Sequence, residues 1–99
     1  MLDIYEISRS SSNKQLIASV EEKELFILNK VFLEYEKKTG YKIDEYGDLV
    51  IKNENLKILL DIFKLFLNYK KENFFILNKY YNLLKEIYNK KANVGFFGD

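Results

Sequence analysis

The sequence predicts an α+β domain: three helices packed on a small, mainly antiparallel sheet, with strands contributed by both ends of the chain. Three observations lead there. Runs rich in Ile, Val and aromatic residues stand near both termini, at "LDIYEIS" and "NVGFF". Three interior stretches place apolar residues three and four apart, the spacing of a helix with one buried face. Short polar or glycine-bearing segments separate all of these.

The elements follow in order. Ile4, Tyr5 and Ile7 lie among charges in the first strand, Arg9–Asn13 is a polar turn, and "KQLIASV" offers either a short second strand, which would make a hairpin, or the approach to a helix. Ser19 and Glu22 have the S-x-x-E spacing of a capping box, which predicts a helix start there. That helix runs to Gly40. Leu25, Leu28, Phe32 and Tyr35 form its apolar stripe, Val31 and Leu33 widen it, Lys37 and Lys38 suit its C-terminal dipole, and Gly40 suits a left-handed cap. In "YKIDEYGDLVI", strand material flanks a turn at "DEYGD", giving either a small hairpin or an extended loop bent at Gly47. Asn53 fits the N-cap of a second helix through Lys71, with Leu56, Leu59, Leu60, Phe63, Phe66 and Leu67 on its apolar face. Lys70–Asn73 interrupts the pattern without a Gly or Pro to enforce a break, which leaves one long helix or, favoured in a chain this short, a turn with Asn73 as a new N-cap. The third helix, from Phe74, lines one face with Leu77, Tyr81, Leu84 and Tyr88, flanked by Phe74, Tyr80 and Ile87. Val94, Phe96 and Phe97 form the closing strand.

At 99 residues, the chain has the length of a single domain, 1–99. It contains neither His nor Cys, which excludes catalytic dyads and triads built on them and removes the commonest metal ligand. No glycine-rich phosphate loop occurs, and "DEYGD" is too short and too poor in ligands for an EF-hand. The reading is therefore non-enzymatic, with no cofactor and no metal. "LKILLDIFKLFL" carries three charges and falls short of the roughly 20 apolar residues of a membrane span, so a soluble, intracellular protein is expected. Net charge is +1, but residues 1–50 hold 7 basic and 10 acidic side chains, and residues 51–99 hold 9 basic and 5 acidic. The asymmetry fits either a molecule with an acidic and a basic side or, the preferred reading, two halves that neutralise each other across one fold.

"FILNK" occurs at Phe26–Lys30 and again at Phe75–Lys79, each copy early in a predicted helix and each followed by an aromatic-Gly-Asp triplet. Two copies separated by an unmatched helix make a poor repeat. The pentapeptide reads instead as a buried apolar wedge with a wet Asn-Lys shoulder.

Eight Tyr and eight Phe exceed what a core of this size can hide, and exposed tyrosine favours protein contacts. Tyr41 and Tyr46 flank Asp44, Glu45 and Asp48, and these five residues are the candidate partner-binding loop. Two other functions fit parts of the sequence. Lys85, Lys90 and Lys91, interleaved with Tyr80, Tyr81 and Tyr88, would suit a lysine-rich nucleic-acid-binding module, which the near-neutral charge disfavours. The aromatic helices would suit a homodimeric structural or interaction subunit.

"FLEYEKKTGYKIDEYGDLVI", followed by a leucine-rich helix, a further helix and a closing "GFFGD", resembles small bacterial immunity proteins of contact-dependent growth inhibition and related polymorphic toxin systems. The resemblance spans Phe32–Asp99. It implies a cytoplasmic, non-catalytic protein that binds a cognate toxin domain, often a nuclease, and blocks it. The chain departs from the commonest pattern in not being acidic overall.

Overall fold

A computed structural model describes residues 1–69 and 72–98. Lys70, Lys71 and Asp99, expected at the end of the second helix and in the closing triplet, lie outside the described residues. The order is β1 (Leu2–Ile7), β2 (Lys14–Val20), α1 (Glu22–Thr39), β3 (Asp48–Ile51), α2 (Asn53–Tyr69), α3 (Phe74–Asn89) and β4 (Asn93–Phe97). The four strands form one sheet in the order β2-β1-β4-β3, with every pairing antiparallel. The α+β architecture and the strands from both ends of the chain are as expected. Of the two readings of Tyr41–Ile51, the bent loop is the one adopted. Only Asp48–Ile51 is strand, and it pairs with β4.

Alternation along the strands gives the sheet two unlike faces. Leu2, Ile4, Val20, Ile51, Val94 and Phe96 point to the helices and join Leu28, Val31, Phe32, Tyr35, Leu56, Leu59, Phe63, Leu77, Leu84 and Ile87 in one core. Each such buried side chain contributes about 1.5–3 kcal/mol relative to exposure. On the other face, the edge of the Tyr5 ring meets Phe97 at 5.3 Å, and the Lys14 ammonium lies 4.6 Å from the Phe97 centroid. A Cβ at Gly95 would collide with the Phe97 ring, so glycine is what lets that ring fold back over its own strand.

The helix starts depart from expectation. Ser19 belongs to β2, where its hydroxyl donates to Asp3 Oδ1 across the strand pair at 2.7 Å. The cap of α1 falls two residues later, at Glu21, whose N–H donates to Glu24 Oε1 at 3.2 Å. Asn53 does not cap α2. The Lys52 carbonyl accepts the first helical N–H groups, from Asn55 and Leu56. The Asn53 side chain is buried and donates to the carbonyls of Tyr88 and Ala92 at 3.0 and 2.9 Å, while its N–H donates to Asn93 Oδ1 at 2.9 Å. Asn73 does precede α3, but as a residue at φ 62°, without a side-chain cap bond. Asparagine tolerates that left-handed geometry better than most residues. The buried face of α3 is also turned from the predicted one. Tyr80 and Ile87 lie in the core, whereas Tyr81 and Tyr88 are half-buried. Leu33, expected in the α1 stripe, is 52% exposed.

Both "FILNK" copies behave alike: Leu28 and Leu77 are buried, Ile27 and Ile76 are half-buried, and Phe26 and Phe75 point to solvent. The expected wedge is thus narrower than predicted, because the Phe is excluded from it.

Two of the ion pairs that join the halves of the chain match first-half acid with second-half base: Lys79 with Glu24 at 3.0 Å and Lys90 with Glu6 at 3.4 Å. A third, Arg9 with Glu54 at 3.6 Å, runs the other way. Glu24 is buried and also accepts from the Tyr80 hydroxyl at 2.8 Å, which ties the start of α1 to α3. Burial alone would raise the Glu24 carboxyl pKa. Hydrogen bonds from Tyr80, Lys79 and the Glu21 N–H outweigh it and hold the group below its ordinary 4.5. Burial and the same carboxylate push the Tyr80 phenol well above its usual range.

Two outcomes follow. Replacing Asn53 with Ala is expected to cost about 2–3 kcal/mol in urea unfolding, and Asn53→Asp more, because a carboxylate would face two carbonyls. The Glu24 contribution is complete above pH 4.5, the free carboxyl value, and fades as pH falls through the lower folded-state value. Unfolding free energies measured from neutrality to about pH 3 should therefore fall less steeply in Glu24→Gln than in the parent, with Glu24→Gln less stable at neutrality.

Candidate protein-binding groove

The segment 40–47 is shaped by short-range chemistry. Gly40 ends α1 at φ 83° and donates to the Glu36 carbonyl at 2.7 Å. The Thr39 hydroxyl donates to the Tyr35 carbonyl at 2.8 Å and accepts from the Tyr41 N–H at 3.1 Å, which turns the chain back along the helix. Ile43, 3% exposed, anchors the loop in the core. Asp44 Oδ1 accepts from the Tyr46 N–H at 3.0 Å, forming an Asx turn, and its Oδ2 faces the Lys42 ammonium at 3.5 Å. The far end is tied to the sheet, where the Gly98 N–H donates to the Gly47 carbonyl at 2.9 Å. A Cβ at Gly98 would collide with the Glu45 backbone, so the closing strand seats against the loop only through glycine. The two glycines of the "YGD" and "FGD" echoes are thus hydrogen-bonded neighbours.

Between this loop and α1 lies a groove of about 340 Å³. The helix contributes Leu25, Asn29, Phe32, Leu33 and Glu36, and the loop contributes Lys42, Ile43, Asp44, Glu45 and Tyr46. A second recess of about 280 Å³ shares Leu25 and Glu45 and extends the groove towards Met1, Val20 and Glu22. The floor is apolar. The rim carries Glu22, Glu36, Asp44 and Glu45 against Lys42, which is already paired with Asp44. Tyr46 projects from it, 79% exposed, and the neighbouring Glu45 charge raises its phenol pKa.

Of the five residues expected to bind a partner, the structure brings Asp44, Glu45 and Tyr46 together on this groove. Tyr41 lines a separate cavity beside β3, and Asp48 is exposed on the outward face of β3. The rest of the lining was not expected, and on the helical side Leu33 and Glu36 are its exposed apolar edge and its rim charge. Helical periodicity placed Leu33 in the core, and only the return of the loop along α1 makes it a groove wall.

The aromatic-basic surface considered for nucleic acid is differently disposed. Tyr80 is buried, Tyr81 packs on Phe63, the Lys85 ammonium lies 5.7 Å from the Tyr88 centroid, and Lys90 is engaged by Glu6. Among the described residues, no group of three or more acidic side chains is placed to hold a metal ion, and no helix is long and apolar enough to cross a membrane.

No protein-family model, curated protein or solved structure matches the chain. The class it defines is therefore architectural: a two-layer α+β domain with all four strands antiparallel and a loop-walled groove on its first helix.

Replacing Gly98 with Ala should push the 45–47 loop off the strand end. The expected cost is about 1–3 kcal/mol, with amide shift changes in an NMR spectrum concentrated at Glu45–Gly47.

Proposed function

We propose that this chain is a non-catalytic protein-binding inhibitor, acting in the bacterial cytoplasm as an immunity protein that neutralises a cognate toxin domain. The observation that carries the reading is the groove: an apolar floor, an acidic rim, Leu33 exposed on its helical side, and Tyr46 held exposed at its edge by a loop anchored at both ends. Apolar and aromatic anchors ringed by charge are the usual make-up of an interface that binds tightly and selects its partner electrostatically. The rim calls for a basic partner surface, such as the nucleic-acid-binding face of a nuclease. The resemblance of Phe32–Asp99 to immunity proteins supports the same reading. Asp44, Glu45 and Tyr46 form the centre of the proposed contact, while Tyr41 and Asp48 flank it.

The test is co-expression with the toxin domain encoded beside this gene. Restored growth and a 1:1 complex in calorimetry are expected. Tyr46→Ala combined with Leu33→Ala should weaken that complex by about 10- to 100-fold. Glu45→Lys should mainly slow association and reduce its salt dependence. A neighbouring locus without such a toxin, or a complex indifferent to these changes, would overturn the proposal.

A further inference from the structure

β3 is an edge strand with one side unpaired. It bonds to β4, and its other side carries no backbone hydrogen bond among the described residues. The bond from the Gly98 N–H to the Gly47 carbonyl extends the β3–β4 ladder by one residue. Alternation then turns the N–H and C=O groups of Asp48 and Val50 to the free side. Edges of this kind are normally blunted. The opposite edge of the sheet, β2, is interrupted by a bulge opposite Ile4 and Tyr5, whereas β3 has no irregularity in its register.

The outward face of this edge reads Asp48, Val50, Lys52, and all three side chains are exposed. That order is self-complementary. If two copies pair antiparallel about Val50, Val50 meets Val50, and each Asp48 meets the other chain's Lys52, so that two opposite-charge pairs flank one apolar pair. The inward face is prepared as well. A cavity of about 230 Å³ lies along the strand, lined by Tyr35, Tyr41, Leu49, Ile51 and Asn55 and reaching the free edge at Val50 and Lys52. In the same register Leu49 of one copy stands opposite Ile51 of the other, beside that cavity. Tyr41, 56% exposed, forms its outer wall.

We propose that β3 is a self-association edge, pairing antiparallel with β3 of a second copy of this chain about a two-fold axis at Val50 and joining two four-stranded sheets into one. The occupant is a second copy because the charge order matches itself at a single register. This edge lies outside the loop-walled groove, though Tyr41 and Asp48 also stand at the flank of the contact proposed there; self-association is read on the chain alone and does not depend on that function.

Sedimentation velocity of the purified chain over a concentration series provides the test. A monomer–dimer equilibrium that weakens with added salt is expected. Asp48→Lys sets Lys against Lys at both ends and should raise the dimer Kd roughly tenfold or more. Lys52→Asp should do the same by setting Asp against Asp, at a position where Asp suits the start of α2 and so favours a folded variant. The double variant Asp48→Lys, Lys52→Asp restores opposite charges and should return the Kd towards the parent value. Circular dichroism melting establishes that each variant is folded. A parent that stays monomeric throughout the series, folded single variants that dimerise as the parent does, or a folded double variant that stays weak would each overturn the proposal.

Discussion

The Asn53 side chain donates both of its amide hydrogens to carbonyls at the junction of α3 and β4, and its N–H is accepted by Asn93. One residue thereby fixes three things: where β3 hands over to α2, where α3 ends, and where β4 begins. The junction it holds is itself awkward. Lys91 turns the chain at φ 65°, and the Tyr88 carbonyl also accepts the Lys91 N–H. Without a buried donor there, the carbonyls of Tyr88 and Ala92 would lose partners in a place where water is scarce, at a cost comparable to a lost helix cap or more. The pairing of β4 with β1 and β3, and through Gly98 the position of the groove loop, rests on that junction.

The fold was legible because its local signals agree with one another. Period-two and period-3.6 patterns are clean, and Gly40 and the polar turns sit where the chain reverses. What sequence reasoning misplaced were residues whose roles are set by distant partners. Asn53 and Ser19 have the chemistry of caps, which accept a helix N–H, but each instead donates to an acceptor across the fold. Asn53 finds two buried carbonyls, and Ser19 finds the carboxylate of Asp3. Tyr80 displaces Tyr81 from the core because the buried Glu24 offers its hydroxyl an acceptor. A helical wheel carries no trace of that acceptor, which lies 56 residues away.

The candidate site shows the same division. Asp44, Glu45 and Tyr46 were recognisable from composition, since a turn that displays acids beside tyrosine has a partner-facing chemistry wherever it lies. Leu33 and Glu36 were not, because the groove exists only once Ile43 is buried and the loop runs back over α1. The charge asymmetry between the halves of the chain was legible as a quantity, but its use was not. Glu24–Lys79 and Glu6–Lys90 spend part of it inside the fold, and four of the remaining acids of the first half, Glu22, Glu36, Asp44 and Glu45, gather around the groove.

β4 is the last strand in chain order, yet it lies between β1 and β3. During synthesis the N-terminal hairpin and α1 emerge first, with the inner edge of β1 unsatisfied and the floor of the sheet incomplete. That edge stays open until the chain has grown to Phe97, so the sheet closes in a late step that joins residues about ninety positions apart. Chains caught before that step expose two strand edges and an uncovered apolar face to one another. Chaperone dependence and aggregation during expression should therefore track changes in β4 and its glycine more closely than changes of equal thermodynamic cost in the helices.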